Sequence, residues 1–181
     1  PLAVIEAKPP ECRSDGRSMM DEGIRQHLHN QRPEEIPGLF VYAQLLLAIS
    51  QRDGRYGTTQ TPAKFWARWR EHEFDEAHFV RLKRQGLSLE TRTVLLADKT
   101  AHRQADLEAL TAEPQPPTDL DRLFVGLLTP LRLLEILRGF IVFDRKAGKL
   151  IARYPQFFGT RAVLARIRGL CPPDGPDDGR R

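Results

Sequence analysis

The apolar positions of the chain first follow a strand-like pattern and then a helical one. Residues 1–7 form a short apolar run, which a Pro-Pro pair ends because consecutive prolines remove two backbone hydrogen-bond donors. Residues 19–31 carry Ile24 and Leu28 four positions apart, the spacing of side chains on one helix face. The sequence therefore begins with a predicted strand that is followed, after a polar loop, by a predicted helix.

A second apolar run predicts a central strand. Residues 39–50 are almost all apolar and end at a polar turn that contains Asp-Gly, a pattern typical of a buried strand. Residues 55–59 fit a short returning strand, and Pro62 fits the first turn of a helix that carries Trp66 and Trp69. These tryptophans could stack on bases, but aromatic residues at helical spacing are more often core residues.

The rest of the chain divides into three parts by composition. Residues 72–117 are polar, charged and rich in proline at their end, which indicates connecting helices and a linker. Residues 118–170 alternate between helical patterns and one strand-like run, so they predict a second structured unit. Residues 171–181 are rich in Pro, Gly and Asp and have no apolar periodicity, which predicts a disordered tail. Residues 1–71 form the first predicted unit. Because both units combine predicted helices and strands, the expected fold class is α/β.

The amino-acid composition indicates the cellular environment of the protein more clearly than its function. No apolar run is long and free of charge enough to span a bilayer, and the absence of a basic stretch before the first apolar run argues against a signal peptide. The chain is expected to start within a domain. A net charge of +4 favours an anionic partner such as nucleic acid. The two cysteines, Cys12 and Cys171, are far apart and form no Cys-x-x-Cys pair, which fits a reducing, cytoplasmic compartment.

The first predicted strand carries a candidate catalytic pair. Side chains two residues apart share one face of a strand, so Glu6 and Lys8 are expected to project together. A carboxylate can hold Mg²⁺, and a neighbouring ammonium group can position or help deprotonate the water that attacks a phosphodiester. Such a site normally needs a second acidic group from a preceding strand. Taken alone, a Glu-x-Lys pair is more often a solvated strand edge.

The predicted helix offers weaker candidates. Gln26 and Asn30 lie four residues apart and could reach a phosphate or a base edge together, although an exposed amide pair is the commoner outcome of this spacing. His27 and His29 are two residues apart and point to different helix faces, which argues against a metal site there.

The sequence contains no phosphate-binding loop of the Walker A type. Its one Gly-Lys pair, Gly148 and Lys149, is followed by Leu150, and Phe143 stands where the leading glycine would be. ATP hydrolysis therefore cannot be located in this chain.

Several segments, taken in order, resemble one enzyme family. PLAVIEAKPP looks like a nuclease strand, and IRQHLHNQ followed by IPGLF looks like a Q-x-x-x-Y helix and the turn after it. LLLAISQRDGRYGTT and KFWARW continue the likeness, and RLLEILRGFIVFDRKAGKLIARYPQFFGTRAVLARI resembles the approach to a helicase lobe. Together they resemble the restriction (R) subunit of type I restriction-modification enzymes, a PD-(D/E)xK nuclease fused to an ATP-driven translocase of double-stranded DNA. The resemblance covers residues 1 to about 168.

The resemblance implies roles for individual residues. Glu6 would be a Mg²⁺ ligand and a catalytic residue, Lys8 the catalytic lysine, and Gln26 the glutamine of the helix motif. Gln156 would lie near the bound nucleotide. Asn30 stands where the family has tyrosine, which puts nuclease competence in doubt, and the usual histidine before Gln156 is replaced by proline.

The resemblance also implies an architecture and partners. The chain would hold the C-terminal part of a restriction-endonuclease-like domain, a helical linker and the start of a RecA-like helicase lobe. Mg²⁺ and ATP would be the cofactors, and double-stranded DNA with the methylation and specificity subunits the partners. The first catalytic aspartate is expected upstream and the Walker A loop downstream, so the chain alone is expected neither to hydrolyse ATP nor to cleave DNA efficiently.

Two alternatives stay open at this point. The chain could be a non-catalytic DNA-binding or subunit-docking remnant of the same fold, which the Asn30 replacement favours. It could also come from another PD-(D/E)xK nuclease, such as a stand-alone repair enzyme, although the segment around residues 140–158 has no obvious use in a small nuclease.

Overall fold

A computed structural model describes residues 1–9, 18–50, 52–71, 75–112 and 116–169. The fold is a mixed α/β one, as the sequence predicts. Within these described ranges, no helix combines the length and the apolar character needed to cross a membrane.

The first sheet has three strands, with the most apolar strand at its centre. Its order is β1 (Ala3–Ala7), β2 (Leu45–Ile49) and β3 (Gly54–Gly57). β2 is parallel to β1 and antiparallel to β3. Helix α1 (Met19–Asn30) lies in the connection between the two parallel strands and packs on the sheet, as such a crossover requires.

Both faces of β2 are covered, because its residues alternate between two hydrophobic clusters. On the α1 side, the buried cluster consists of Met20, Ile24, Phe40, Ala43, Leu46, Ala48 and Trp66. On the other side, the buried cluster consists of Leu47, Tyr56, Trp69, Leu123, Leu127, Ile136 and Phe157. We refer to these as the α1-side core and the α5-side core.

Three helices connect the sheet to the second part of the chain. They are α2 (Glu76–Arg84), α3 (Leu89–Leu96) and α4 (Ala101–Ala112). Most of their described side chains are exposed, with Phe79 of α2 a buried exception. An ion pair between Lys83 and Asp121, with 2.8 Å between Nζ and Oδ2, attaches α2 to the next helix.

The second part of the chain packs directly on the first sheet. It comprises α5 (Asp119–Leu128), α6 (Pro130–Gly139), the antiparallel hairpin of β4 (Ile141–Asp144) and β5 (Gly148–Ile151), and α7 (Tyr154–Ile167).

Two polar contacts reinforce that packing. The Tyr56 hydroxyl donates to the carbonyl oxygen of Ala152 at 2.9 Å, and the Lys149 ammonium donates to the carbonyl oxygen of Ala43 at 2.7 Å. Residues 118–169 and the three-stranded sheet thus share one core. The assignment of residues 118–170 to a helicase lobe, separate from a nuclease part and a linker, stays a prediction.

Two secondary-structure predictions were wrong. The run 39–50 is not one strand, because a 3₁₀ turn at Pro37–Phe40 places Phe40 in the α1-side core and only Leu45–Ile49 is extended. The helix predicted from Pro62 is only a 3₁₀ turn at Ala63–Phe65. Beyond that turn the backbone extends, and Ala67 exchanges two hydrogen bonds of 2.9 and 3.0 Å with Tyr56 of β3.

This extended pairing explains where the two tryptophans go. Residues an odd number of positions apart point to opposite sides of an extended chain. Trp66 accordingly lies in the α1-side core and Trp69 in the α5-side core, and both are buried. Their interpretation as core residues is confirmed. The predicted disordered tail at 171–181 lies outside the described residues.

Candidate active site

The end of β1 presents Glu6 and Lys8 on one face of the sheet. Their side chains form an ion pair with 2.9 Å between Nζ and Oε1, and they are 27% and 17% exposed. The Lys8 amide donates to the carbonyl oxygen of Ile49 at 2.9 Å, so ladder pairing continues past the end of the strand. The pair is therefore partly buried, although β1 is an edge strand of the described sheet.

Helix α1 packs close to this pair at Gly23. A methyl group added at Gly23 would lie 3.3 Å from the Ala48 Cβ, 3.5 Å from the Lys8 Cγ and 3.8 Å from the Glu6 Cγ. The first of these contacts is tighter than most that side chains make. Two small residues, Gly23 and Ala48, thus allow the helix backbone to pass directly beside the Glu6 and Lys8 side chains.

Gln26 stands on the same helix, three residues beyond Gly23. It is partly buried, and its amide nitrogen donates to the Asn30 Oδ1 at 2.8 Å. Within the described part of the chain it makes no hydrogen bond to Glu6 or Lys8. The two amides that the sequence singled out therefore interact with each other along the helix.

The structure adds His27, which the sequence considered only as a metal ligand. His27 is 1% exposed, and its Nε2 lies 3.0 Å from the carbonyl oxygen of Leu47, so the ring donates from Nε2. The imidazole stacks on Trp66 with 5.3 Å between ring centroids and meets Phe40 edge-on at 6.2 Å. The sequence signal was its place on the apolar face, seven residues after Met20.

Burial favours the neutral form of this imidazole. Loss of hydration lowers the pKa of His27 below its usual 6.5, and the nearby Lys8 charge adds to that effect. The hydrogen bond to Leu47 and the Glu6 charge act in the opposite direction but are the smaller effects. His27 is thus close enough to Glu6 and Lys8 for their charges to affect its pKa.

Gln156 lies elsewhere in the fold. It is exposed, and its Oε1 accepts a hydrogen bond of 2.8 Å from the Arg153 amide at the start of α7. The neighbouring Phe157 is buried in the α5-side core, on the face of the sheet opposite α1. The structure therefore does not bring Gln156 to the Glu6 and Lys8 pair, and its predicted nucleotide contact stays a prediction.

Glu6 is a fitting ligand for Mg²⁺ but does not complete a site by itself. In the ranges that the structure describes, no three His, Cys, Asp or Glu residues are grouped to hold a metal ion. Mg²⁺ typically binds proteins through one or two carboxylates and takes its other ligands from water and substrate phosphate. One carboxylate beside an ammonium group is consistent with that ligand set.

Comparison with known proteins bears on the site directly, since the matching region contains it. Residues 1–65 match the family model described as the Type I restriction enzyme R protein N terminus. The predicted resemblance to type I restriction R subunits is confirmed. The matched residues include β1, α1 and β2, and with them Glu6, Lys8, Gly23, Gln26 and His27.

A relative extends the type I R-subunit likeness beyond residue 65. A protein of Methanocaldococcus jannaschii named as a type I restriction enzyme endonuclease subunit is 27% identical over 184 aligned residues. The alignment covers 99% of this chain but only 15% of that relative. The likeness to type I R subunits therefore includes the α5 to α7 region, while most of the longer protein has no counterpart in this chain.

Proposed function

We propose that this chain is the part of a type I restriction R subunit that carries the lysine side of its nuclease centre. The observation that carries the proposal is the ion pair of Glu6 and Lys8, 2.9 Å apart and partly buried beneath α1. The match of residues 1–65 to R-protein N termini supports a restriction endonuclease subunit. The substrate of the longer protein would be double-stranded DNA.

Each residue of the pair would have a separate task. Glu6 would hold Mg²⁺, which when bound supplies positive charge next to the scissile phosphate. Lys8 would donate hydrogen bonds to the attacking water and to a phosphate oxygen. A second carboxylate from another element would complete the metal site, as Mg²⁺ sites commonly use one or two. Gln26, on the covering helix, would contact the DNA backbone.

The remaining activities belong to the longer protein in this proposal. ATP-driven translocation would move DNA past the nuclease, and Gln156 would lie near the nucleotide. Sequence recognition would come from the specificity subunit, and methylation from a further subunit. Such a complex would work in the cytoplasm, where cellular and invading DNA are both accessible.

The test is cleavage by the complete subunit assembled with its partner subunits. With Mg²⁺, ATP and unmethylated circular duplex DNA, we expect Glu6→Ala and Lys8→Ala each to lower the cleavage rate by roughly 10²–10⁴-fold. ATP hydrolysis should be unchanged, because neither residue approaches the region of Gln156. Glu34→Ala, which removes an exposed carboxylate after α1, is the matched control and should cleave at the normal rate.

A second candidate function is a non-catalytic DNA-binding or docking remnant. The hydrogen bond between Gln26 and Asn30 favours it, because it occupies the amide that a nuclease would direct at DNA. In that case Glu6→Ala would leave cleavage within about threefold of the normal rate, the scatter expected of an uninvolved residue. Filter binding of duplex DNA by the same variants would then measure the remaining function.

A further inference from the structure

A buried histidine fastens α1 to the central strand of the sheet. His27 donates to the Leu47 carbonyl oxygen at 3.0 Å, and its ring stacks on Trp66. The hydrogen bond is fully buried and joins residues twenty positions apart. Removing one partner of such a bond leaves a buried polar group without its partner, so the bond strongly favours a single position of the helix.

The same helix face reaches the candidate site one turn earlier. Gly23 precedes His27 by four residues, so the two lie one above the other on the face that meets the sheet. At Gly23 the helix approaches Lys8 and Ala48 within van der Waals distance of an added methyl group. A shift of α1 at His27 would therefore change the distance between the helix and the Glu6 and Lys8 pair.

We propose that His27 is a positioning residue for the candidate nuclease centre: its hydrogen bond to Leu47 sets the height of α1 above Glu6 and Lys8. Through this contact it also sets where Gln26, on the same turn of the helix, stands relative to the pair. The inference rests on the proposed nuclease function for its consequence in catalysis, but not for the geometry itself. His27 does not touch the substrate in this proposal.

The competing interpretation is an ordinary core histidine whose loss only lowers stability. Three substitutions separate the two. His27→Phe keeps an aromatic ring and loses the donor, while His27→Gln keeps a donor at nearly the same position and loses the ring. Ile24→Val, in the same core and on the same helix, creates a packing defect without touching the hydrogen bond.

The first experiment measures position in this chain, without any cleavage assay. Nuclear Overhauser contacts between the Gly23 α protons and the Lys8 side chain report the height of the helix. We expect them to be present in the unsubstituted chain, in His27→Gln and in Ile24→Val, and to be lost in His27→Phe. Should His27→Phe fail to fold, His27→Asn replaces it, because its amide is too short to reach Leu47.

The second experiment measures cleavage by the complete subunit with its partners at saturating DNA and Mg²⁺. We expect His27→Phe to lower the rate at least tenfold, of the order that a small misplacement of a catalytic group produces (about 10²-fold at 1 Å). His27→Gln and Ile24→Val should stay near the normal rate. In a Gln26→Ala background, His27→Phe should have a smaller effect than in the unsubstituted subunit, since part of its effect depends on the position of the Gln26 side chain.

The outcomes are distinct. Contacts that persist in His27→Phe overturn the positioning role whatever the cleavage assay gives. The catalytic consequence is overturned if His27→Phe and Ile24→Val lower the cleavage rate equally. It is also overturned if the fold-losses of rate in His27→Phe and Gln26→Ala multiply in the double variant. Absence of Mg²⁺-dependent cleavage by the unsubstituted complex contradicts the proposed function, and the Overhauser contacts then decide the role of His27 alone.

Discussion

Single residues in this protein acquire their properties from what covers them. Glu6 and Lys8 are ordinary charged residues, but beneath α1 they become a partly buried pair whose charges neutralise each other. His27 is a common surface residue type, and here the rings of Trp66 and Phe40 remove it from water. Its hydrogen bond to Leu47 offsets much of the free-energy cost of that burial, because a buried donor destabilises the fold mainly when it lacks an acceptor.

The buried imidazole should make stability depend on pH. Because the pKa of His27 is lowered in the folded state, the unfolded chain binds a proton more readily below pH 6.5. The stability that the neutral ring contributes is fully present above pH 6.5 and is lost as the pH falls toward the folded-state pKa. We expect the unfolding midpoint in urea to decrease between pH 7 and pH 5, with a smaller decrease in His27→Gln.

An exposed histidine on the same helix provides the control for this pH dependence. His29 lies 3.1 Å from Glu35 at the surface, and His29→Gln, which leaves the buried ring in place, is measured in the same way. Equal slopes in His27→Gln and the unsubstituted chain would contradict the assignment of the slope to the buried ring.

At the scale of elements, close approach at small residues decides how helices pack on the sheet. α1 approaches β2 at Gly23 and Ala48, and α5 approaches the segment after β3 at Gly126. A methyl group at Gly126 would lie only 2.2 Å from the Trp69 Nε1, which itself donates to Glu71 at 2.8 Å. Arg132 of α6 also pairs with Glu71 at 2.8 Å, so this contact joins two helices to the sheet.

Gly126→Ala is therefore expected to destabilise the fold. The added methyl group must displace a rigid indole and break its hydrogen bond, which should cost about 1–3 kcal/mol, the usual range for overpacking. Thermal or urea unfolding of the purified chain measures it. Gly139→Ala is the control, because a methyl group at Gly139 meets no atom within 4 Å and should be neutral or slightly stabilising. A neutral Gly126→Ala would contradict the described packing of α5.

At the scale of the molecule, one sheet serves two cores. β2 supplies Leu46 and Ala48 to the α1-side core and Leu47 to the α5-side core. The segment that resembles the approach to a helicase lobe is thus built onto the sheet that carries Glu6 and Lys8.

This arrangement predicts a single unfolding transition. The chain has two tryptophans, and each reports on one core: Trp66 on the α1 side and Trp69 on the α5 side. The variants Trp66→Phe and Trp69→Phe each keep one tryptophan. For each variant we expect the urea midpoint measured by fluorescence to equal the midpoint measured by circular dichroism. Separate midpoints for fluorescence and circular dichroism in either variant would indicate two independently folding units.

The sequence alone determined the local features of this protein. Alternating and continuous apolar runs predicted β1, α1, the core of β2 and the return strand β3, because those patterns depend only on the period of each element. The same period placed Glu6 and Lys8 on one face. The order of the motifs along the chain was enough to predict a resemblance to type I R subunits, and the match of residues 1–65 confirmed it.

Tertiary structure decided which surfaces meet. Trp66 and Trp69 lie in opposite cores because Ala67 pairs with β3. The sequence predicted one strand-like run in residues 118–170, and the second strand, β5, forms by pairing with β4. The burial of His27 depends on a carbonyl twenty residues away, and the Lys149 contact with Ala43 spans 106 positions. Contacts between residues so far apart cannot be predicted from the periodicity of the sequence. The spacing of apolar residues indicates which face of an element a side chain lies on, but not which distant residue packs against it.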